Sequence, residues 1–383
     1  MSRGSGSLVL GLLWTACGGS QGGAPPDAPE QPPALVLPVG FSSLPSPEDN
    51  PLTPEGVALG RWLFHSPRLS GNGQVSCASC HAQAHAFSVP EALTTRGVSG
   101  RPLVRHAPTL INLAWAEGLF WDGGARNLES LSLAPLTHPD EMGQSNLAAM
   151  LEDLAQDASV ARQFEAAFGD GPPTLGHLLR ALAQYQRTLV SARSRYDAWR
   201  RGEPGALLTA HERQGLDLVR TRCTPCHDGE LFTDNAFHNN GLDAHFGDGE
   251  DESRGRGRVT LREEDTGRYK TPTLRNVAVS APYMHDGRFA TLEDTLRHYR
   301  QGVVPSPTLD TALLREGEAA GIALNDAEAS AVLAFLHTLT DTTFLSDATF
   351  GPPSMSEDAD EPWSRAGPDF EGLERLPAAR PRP

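Results

Sequence analysis

The sequence predicts an all-α fold built from two similar halves. Apolar residues recur at helical spacing around two Cys-x-x-Cys-His motifs, Cys77–His81 and Cys223–His227. No segment shows the sustained alternation of apolar and polar residues that is typical of a β-sheet. With 383 residues, the chain is long enough for two domains that each have a core. We therefore expect helical domains at residues 51–203 and 204–345, joined by irregular loops.

Each five-residue motif has the form that attaches a c-type haem. Two thiols three positions apart lie on one side of a helical turn, where both can form thioethers, and the adjacent histidine then faces the iron. The alternatives are a zinc site and a thiol–disulfide redox motif. Zinc does not require a histidine directly after the second cysteine, and a redox dithiol rarely occurs twice in this form. The sequence therefore predicts two covalently bound haem c groups, held by Cys77, Cys80 and His81 and by Cys223, Cys226 and His227.

The N-terminal residues have the features of an export signal. Arg3 precedes the apolar run Leu8–Trp14, which is too short to span a bilayer. Residues 14–18 resemble a bacterial lipobox, in which the cysteine, here Cys17, is acylated; plain signal cleavage is the alternative. We predict a lipoprotein-type export signal over residues 1–17. It would place the protein in the periplasm or cell envelope, with membrane contact only through a lipid anchor.

The first half is predicted to begin after a flexible linker. Residues 18–50 are rich in Pro, Gly and Ser and contain little apolar material to bury. Order is expected from Leu52, because Thr53 can cap a helix and Pro54 suits its first turn. A closing helix is expected after Thr174, with an apolar stripe formed by Leu175, Leu178, Leu179, Leu182, Tyr185 and Leu189.

The second half repeats this order of elements. Thr209 and Glu212 form a capping-box pair before the second motif, and Asn325 with Glu328 caps the closing helix. We therefore expect each half to contain a helix, a haem motif, irregular loops that wall the haem, and a final helix.

A further helix is predicted over residues 291–299. Its spacing turns Tyr299 inward and leaves His298 exposed. From spacing alone, Tyr299 is more simply explained as a core tyrosine. Arg275 lies in a loop and is expected to pair either with a haem propionate or with a surface carboxylate.

Charge and composition restrict the partners. The formal net charge of −16 argues against nucleic-acid binding and suits an encounter with a basic electron-donor protein. The highly charged segment 248–268 is expected to be a solvated loop. Residues 346–383 are Pro-rich and polar, which predicts a disordered tail.

Beyond the haem motifs, residues 50–342 resemble the bacterial di-haem cytochrome c peroxidase and MauG family. The most specific segment is Ala281–Gly287, followed by Ala290–Glu293. The other segments that carry the resemblance are Leu59–Gly60, Leu63–Phe64, Leu69–Ser70, Cys77–His81, Phe120–Gly123, Glu141–Gly143, Cys223–His227, Leu231–Asp234 and Thr271–Asn276.

The resemblance implies a role for each candidate residue. The first haem would be peroxidatic, and the second would relay electrons. In the family, the distal ligand of the second haem lies fourteen residues after the histidine of the Ala281–Gly287 segment, here His285, and is Met in the peroxidases and Tyr in MauG. In this sequence it is Tyr299, which places this haem with MauG. Trp121 would carry electrons between the haems. Pro135 and Glu141 would lie in the peroxide pocket, with Glu141 moving a proton between the peroxide oxygens.

Three departures from the family pattern have consequences. The pocket glutamine is replaced by Leu131, which removes a hydrogen-bonding partner of peroxide. The histidine that blocks the resting iron in the peroxidases is replaced by Gly97, so we expect an open first haem that needs no reductive activation. The family's calcium ligands map to the carbonyls of Ser280 and Pro282, but its Asn maps to His106. Imidazole is a poor ligand for a hard cation, so calcium binding stays open.

Three functions are compatible with these features. The first is a di-haem c-type peroxidase that reduces hydrogen peroxide with electrons from a small donor protein, a cytochrome c or a cupredoxin. The second is a MauG-like oxidase that modifies an aromatic residue of a partner protein. The third is a two-haem electron carrier without enzymatic activity, which the loss of the glutamine at Leu131 favours most.

Overall fold

The computed structural model is mostly α-helical. It describes residues 1, 35–41, 43–169, 171–249, 251–315 and 319–353. The described residues from 35 onward group into one compact unit, so the two predicted domains pack as parts of one body. The predicted lipobox with Cys17 and the tail from residue 354 lie outside the described residues. Within them, no helix is both long and apolar enough to cross a membrane.

The first half begins with the predicted capped helix. Thr53 accepts a hydrogen bond from the amide of Gly56, and Pro54 occupies the first turn, as predicted. The closing helix is capped by Thr174, which accepts from the amide of His177. The helices of this half are α1 (Pro54–His65), α2 (Cys77–Cys80), α3 (Leu128–Leu131), α4 (Leu133–Thr137), α5 (Leu147–Gln156), α6 (Ala158–Phe168) and α7 (Leu175–Thr188).

The second half has the same plan. Both predicted capping boxes, Thr209 with Glu212 and Asn325 with Glu328, are present. A two-stranded antiparallel ribbon pairs Phe237 with Lys270. The elements of this half are α8 (Arg195–Arg200), α9 (Ala210–Leu218), β1 (Phe237–His238), α10 (Arg256–Thr260), β2 (Tyr269–Lys270), α11 (Leu292–Arg297), α12 (Asp326–Thr338) and α13 (Thr342–Ser346).

Each half is organised around one close helix crossing. In the first half α1 packs on α7, and a Cβ on Gly60 would lie 2.0 Å from the carbonyl oxygen of Ala181. In the second half α9 packs on α12, and a Cβ on Gly215 would lie 2.0 Å from the carbonyl oxygen of Ala331. Only glycine fits at such a distance, so the two crossings are built in the same way.

Two separate apolar cores lie behind these crossings. The first contains Leu59, Leu63 and Phe64 of α1 with Leu178 and Leu182 of α7. The second is formed mainly by Tyr196, Leu208, Leu216, Val219, Phe232, Val332, Phe335, Leu336 and Leu339.

The structure corrects two predicted boundaries, the end of the linker before the first half and the start of the tail after the second half. Residues 43–50 are packed rather than a free linker, since Leu44 and Asn50 are buried. At the other end, the predicted tail begins too early, because Phe350 is buried in the first core and its carbonyl oxygen accepts a hydrogen bond of 2.7 Å from Tyr185 Oη. The chain therefore returns from the second half to the first before the described residues end.

The charged segment 248–268 is not the solvated loop that its composition predicts. It contains α10, and its Arg254 is buried and pairs with Glu263 at 3.0 Å. Arg258 lies 3.5 Å from Asp122, the residue after Trp121. Arg254, Arg256 and Arg258 of this segment are thus held by carboxylate partners, whereas Arg262 is exposed as predicted.

Two further side-chain predictions are wrong. His298 is buried, because the chain passes from α11 into a π-helical turn, His298–Gly302, which changes the helical phase. Arg275 is fully buried and forms a bidentate ion pair with Asp197 at 2.8 and 2.9 Å, so it meets neither a surface carboxylate nor open solvent.

Candidate haem sites

The first Cys-x-x-Cys-His motif presents its histidine to a cavity. Cys77–Cys80 form α2, capped by Ser76, and His81 follows directly. The Nδ1–H of His81 donates a hydrogen bond of 2.7 Å to the carbonyl of Phe87, so that Nε2 is the ring nitrogen that could bind an iron. Desolvation lowers the pKa of His81 to about 4. A neutral imidazole with one nitrogen held by a carbonyl suits an axial iron ligand.

The cavity is large enough to consider a macrocycle and is mostly apolar. Its volume is about 670 Å³. It brings together most of the candidate residues of the first half, although they lie far apart in the sequence. They are Cys77, Cys80, His81, His106, Trp121, Leu131, Pro135 and Glu141, with Ser280 and Pro282 from the second half.

The second motif repeats the first on different elements. Its Cys223 ends a π-helical turn that continues α9. The Nδ1–H of His227 donates to the carbonyl of Phe232 at 3.0 Å, and desolvation lowers the pKa of His227. Both residues whose carbonyls accept these bonds, Phe87 and Phe232, have positive φ angles, 58° and 52°. Each histidine is thus fixed by the same local turn.

The cysteines form two pairs rather than one four-thiol centre. Cys77 contacts the first core, Cys223 contacts the second, and all four motif cysteines are free. The described residues contain no group of three or more His, Cys, Asp or Glu side chains arranged to hold a metal ion. Two separate thiol pairs, each followed by a histidine whose Nδ1 is held by a backbone carbonyl, fit two covalently attached haems.

Tyr299 lies at the second motif. Burial raises its pKa to about 12, and Cys226 and Cys223 are its electrostatic neighbours. Asn240 Nδ2 lies 3.3 Å from Tyr299 Oη and 3.4 Å from Met284 Sδ. The buried His298 donates to the Asn240 carbonyl at 3.0 Å. Asn240 therefore positions the phenol, a role that its loop sequence did not reveal.

An internal repeat explains why the two sites differ. Pro108–Asn112 and Pro272–Asn276 are both Pro-Thr-Leu-x-Asn, and Asn112 and Asn276 both have positive φ. The same separation of 164 residues relates Trp121-Asp122-Gly123 to His285-Asp286-Gly287 and places Pro135 opposite Tyr299. Proline offers no side-chain ligand atom. The first site therefore lacks, at this position, the oxygen that the second site carries.

Glu141 lies on a tight loop between α4 and α5. The amide of Glu141 donates to the carbonyl of His138, and the amide of Met142 donates to that of Pro135, both at 3.1 Å. Desolvation raises the pKa of the half-buried Glu141 carboxyl, and His138, whose Nδ1 is 3.9 Å from Oε1, opposes the shift. A carboxyl of raised pKa can both give and take a proton near neutral pH.

The two substituted pocket positions are also located. Leu131 is buried in a small apolar cluster with Leu119 and Leu128, and it lines the cavity. Gly97 packs against the Glu141 loop, where a Cβ would lie 1.8 Å from the carbonyl oxygen of Asp140. Gly97 does not line the cavity. The prediction of an open first iron stays a prediction.

Trp121 joins the two halves. Its Nε1–H donates to the carbonyl of His106 at 2.8 Å, and its own carbonyl accepts from the amide of Lys270 at 2.8 Å. It shares the cavity with Pro272 of the second half, which lies beside the second-motif histidine, His227. An indole at this place can connect the two attachment sites.

The residues of the predicted calcium position lie close together along one cavity. His106 is buried, and the Nε2–H of its ring donates a hydrogen bond of 2.8 Å to the carbonyl of Val89. Ser280 and Pro282 line the same cavity as His106. Calcium binding at their carbonyls stays a prediction.

These features define a class: an α-helical protein with two attachment sites for c-type haem. Comparisons with known proteins agree. Residues 54–205 match the family model described as di-haem cytochrome c peroxidase. The chain is 40% identical over 303 residues to the methylamine utilization protein MauG of Methylorubrum extorquens, which covers 78% of this chain and 81% of that protein.

A peroxidase and a solved structure are also similar. Cytochrome c551 peroxidase of Nitrosomonas europaea is 31% identical over 293 residues, covering 76% of this chain and 82% of its own. A crystal structure of a MauG-like protein associated with microbial copper homeostasis has a TM-score of 0.75 and 32% identity, covering 83% of this chain and 98% of its own. The chain belongs to the di-haem cytochrome c peroxidase and MauG family, which implies haem c cofactors.

Proposed function

We propose that the protein is a di-haem c-type peroxidase with two cytochrome c-like domains. It reduces hydrogen peroxide at the first site, with electrons that arrive through the second. The single observation that carries the proposal is the contrast at the repeated position, where the first cavity has Pro135 and a nearby carboxyl, Glu141, while the second site has Tyr299. One site can therefore accept a substrate and the other is closed by a side chain.

The protein residues divide into two groups of roles. His81 would bind the first iron, and His227 with Tyr299 would bind the second, while the four cysteines anchor the macrocycles. When bound, the first haem would supply the iron that passes electrons to peroxide, and the second would supply an electron store. A phenol-type oxygen ligand favours oxidised iron, which lowers the potential of the second centre.

Glu141 would handle the protons. The overall reaction takes two electrons and two protons with hydrogen peroxide and gives two waters. Glu141 takes the proton from one peroxide oxygen and delivers it to the other as the O–O bond breaks, which makes the departing oxygen a water. Pro135 shapes the cavity wall beside it. The loop hydrogen bonds from Glu141 to His138 and from Met142 to Pro135 hold the carboxyl at the cavity.

Trp121 would carry the electrons between the sites. Its indole N–H is fixed by the His106 carbonyl, and its backbone is fixed by Lys270. The indole therefore keeps one orientation. The cavity that it lines extends from His81 of the first motif to Pro272, which lies next to His227 of the second motif.

Replacement of Glu141 tests the proposal. Glu141→Gln keeps size and polarity but removes the acid–base group, so peroxide cleavage in stopped-flow absorbance should slow about 10²-fold. Mass analysis should still find two haems. Glu152→Gln, on the outer face of α5, is the control and should react normally. A Glu141→Gln protein that cleaves peroxide at the normal rate would remove Glu141 from the mechanism, and a native protein that leaves peroxide intact would reject the peroxidase.

A MauG-like role is the second candidate, and Tyr299 favours it. In this role the oxidised protein waits for an aromatic residue of a partner protein rather than for a small donor. Steady peroxide turnover with a reduced cytochrome c or cupredoxin would support the peroxidase. An oxidised state that persists for minutes in the presence of these donors would support the MauG-like role. An electron carrier without enzymatic activity would show no spectral change with peroxide.

The proposed location is the periplasm or cell envelope. Haem c is attached outside the cytoplasm, and family members are periplasmic c-type cytochromes. We retain Cys17 as the acylated residue of a lipid anchor and the Ser280 and Pro282 carbonyls as calcium ligands, both as parts of this proposal.

A further inference from the structure

The first-half cavity contains a polar pair that the mechanism above does not use. Gln186 of α7 and Ser132, which lies between α3 and α4, both line the cavity. Only 3% of Gln186 and 9% of Ser132 is exposed. Gln186 Nε2 donates a hydrogen bond of 3.0 Å to Ser132 Oγ. Among the described residues, neither side chain makes another hydrogen bond.

The hydroxyl of Ser132 has a donor that this hydrogen bond does not use. A serine hydroxyl has one O–H donor and two acceptor lone pairs. Gln186 occupies a lone pair of Ser132, so the O–H of Ser132 remains without an acceptor among the described residues. Buried hydroxyls normally find a partner, because an unsatisfied buried hydroxyl loses its bonds to water without replacement. The missing acceptor is therefore expected to come from whatever occupies the cavity.

The pair lies next to the position where the cavity lacks an amide. Leu131 precedes Ser132 and offers only an apolar surface. Gln186 is on a different helix, one turn after Ala183, which packs in the same cluster as Leu131. The cavity wall therefore does contain a side-chain amide, that of Gln186. It belongs to α7 and contacts the Ser132 hydroxyl.

We propose that Ser132 donates a hydrogen bond to the oxygen ligand or substrate held in the first cavity, and that Gln186 is the positioning residue that orients its hydroxyl. This inference rests on the proposed function, because it adds a donor to the same site. It explains how the cavity can hold peroxide although residue 131 is leucine.

Fluoride binding to the haem-loaded ferric protein tests the proposal without turnover. Fluoride accepts hydrogen bonds at the iron but does not react, and both its affinity and its charge-transfer band respond to a nearby donor. Ser132→Ala should weaken fluoride about tenfold and shift the band. Gln186→Met, which keeps the volume, should weaken it about threefold. In the double variant the loss should equal that of Ser132→Ala alone, since Gln186 acts through Ser132.

A rescue and a matched control complete the design. Leu131→Gln added to Ser132→Ala should restore fluoride affinity by supplying an amide from the neighbouring residue. Gln184→Leu is the control, because Gln184 is equally buried on α7 but hydrogen-bonds to Asn50 and Thr53 away from the cavity. It should lower stability and leave fluoride binding unchanged.

Two results would overturn the inference. One is unchanged fluoride affinity in Ser132→Ala; the other is a Gln186→Met effect that persists when Ser132 is already alanine. The peroxide reaction is measured separately on the same samples. Normal fluoride responses with no peroxide cleavage would reject only the proposed function, and normal cleavage with no fluoride response would reject only this inference.

Discussion

Asp197 and Arg275 are fully buried, and each side chain supplies hydrogen bonds and the opposite charge to the other. The Asp197 carboxylate accepts two bonds from Arg275 and two more from the amide and hydroxyl of Ser194. Arg275 also donates to the carbonyl of Glu230 at 2.8 Å. A charge pair without solvent contact is tolerated only when its hydrogen bonds are this complete. The pair therefore fixes the start of α8 against the loop Thr271–Asn276, which carries Arg275.

Removal of one charge should show this dependence. Asp197→Asn keeps the shape but leaves the Arg275 guanidinium uncompensated, so the free energy of unfolding should fall by about 3–5 kcal/mol. Urea unfolding of the haem-loaded protein, followed by circular dichroism, measures it. Asp153→Asn, which breaks an exposed ion pair with Arg68, is the control and should cost less than about 1 kcal/mol. A loss below 1 kcal/mol in Asp197→Asn would contradict this account.

At the scale of elements, the paired helices α1–α7 and α9–α12 set the frame for each haem site. Both crossings place a glycine against a carbonyl, Gly60 on Ala181 and Gly215 on Ala331. The next contacts also match, since a Cβ on Gly60 would meet Tyr185 Cβ at 2.9 Å, and one on Gly215 would meet Phe335 Cβ at 2.8 Å. Each motif histidine follows its first helix, so the crossing positions the site.

Gly215→Ala should force this crossing apart. The added methyl group would overlap the Ala331 carbonyl, and overpacking of this kind costs about 1–3 kcal/mol. Thermal unfolding monitored in the Soret band measures the loss. Gly176→Ala serves as the control, because its Cβ would have no neighbour closer than 3.9 Å. Its stability should stay the same or rise by up to about 1 kcal/mol, as alanine favours helix. Equal effects of the two variants would reject the proposed role of the crossing.

Local signals account for what the sequence could predict. Thr53, Thr209 and Asn325 start their helices as expected, because a cap involves only the next three residues. The Cys-x-x-Cys-His motifs are local in the same sense. His298 was misplaced because a π-helical turn changes the phase of the helix, and its spacing gives no sign of that turn.

The spacing of apolar and polar residues does not predict contacts between residues that are far apart in the sequence. Ser132 and Gln186 meet although 54 residues separate them, and Arg275 meets Asp197 across 78. Neither pair has a periodicity that would reveal it. The repeat that relates Pro135 to Tyr299 is a sequence feature, and the positive φ angles of Asn112 and Asn276 show that the two loops also share a turn.

At the scale of the whole molecule, charge governs the encounter with a donor. The chain carries a formal net charge of −16. Its arginines include several that are turned inward to carboxylates, as Arg254 and Arg258 are in the segment 248–268. A molecule of this charge attracts a basic partner over roughly 10 Å at 0.1 M salt, and the attraction shortens to about 3 Å at 1 M. Salt should therefore act on association rather than on chemistry.

Steady-state kinetics with two kinds of donor test this expectation. With a reduced basic cytochrome c, kcat/KM should fall about tenfold or more between 10 mM and 0.5 M salt, because steering raises association rates by factors of about 10–10³. The value of kcat should change little. A small uncharged reductant is the control, and its rate should be independent of salt. If the rate with the basic cytochrome is equally independent, long-range attraction does not bring the donor to this protein, and the donor must instead be recognised by short-range contacts.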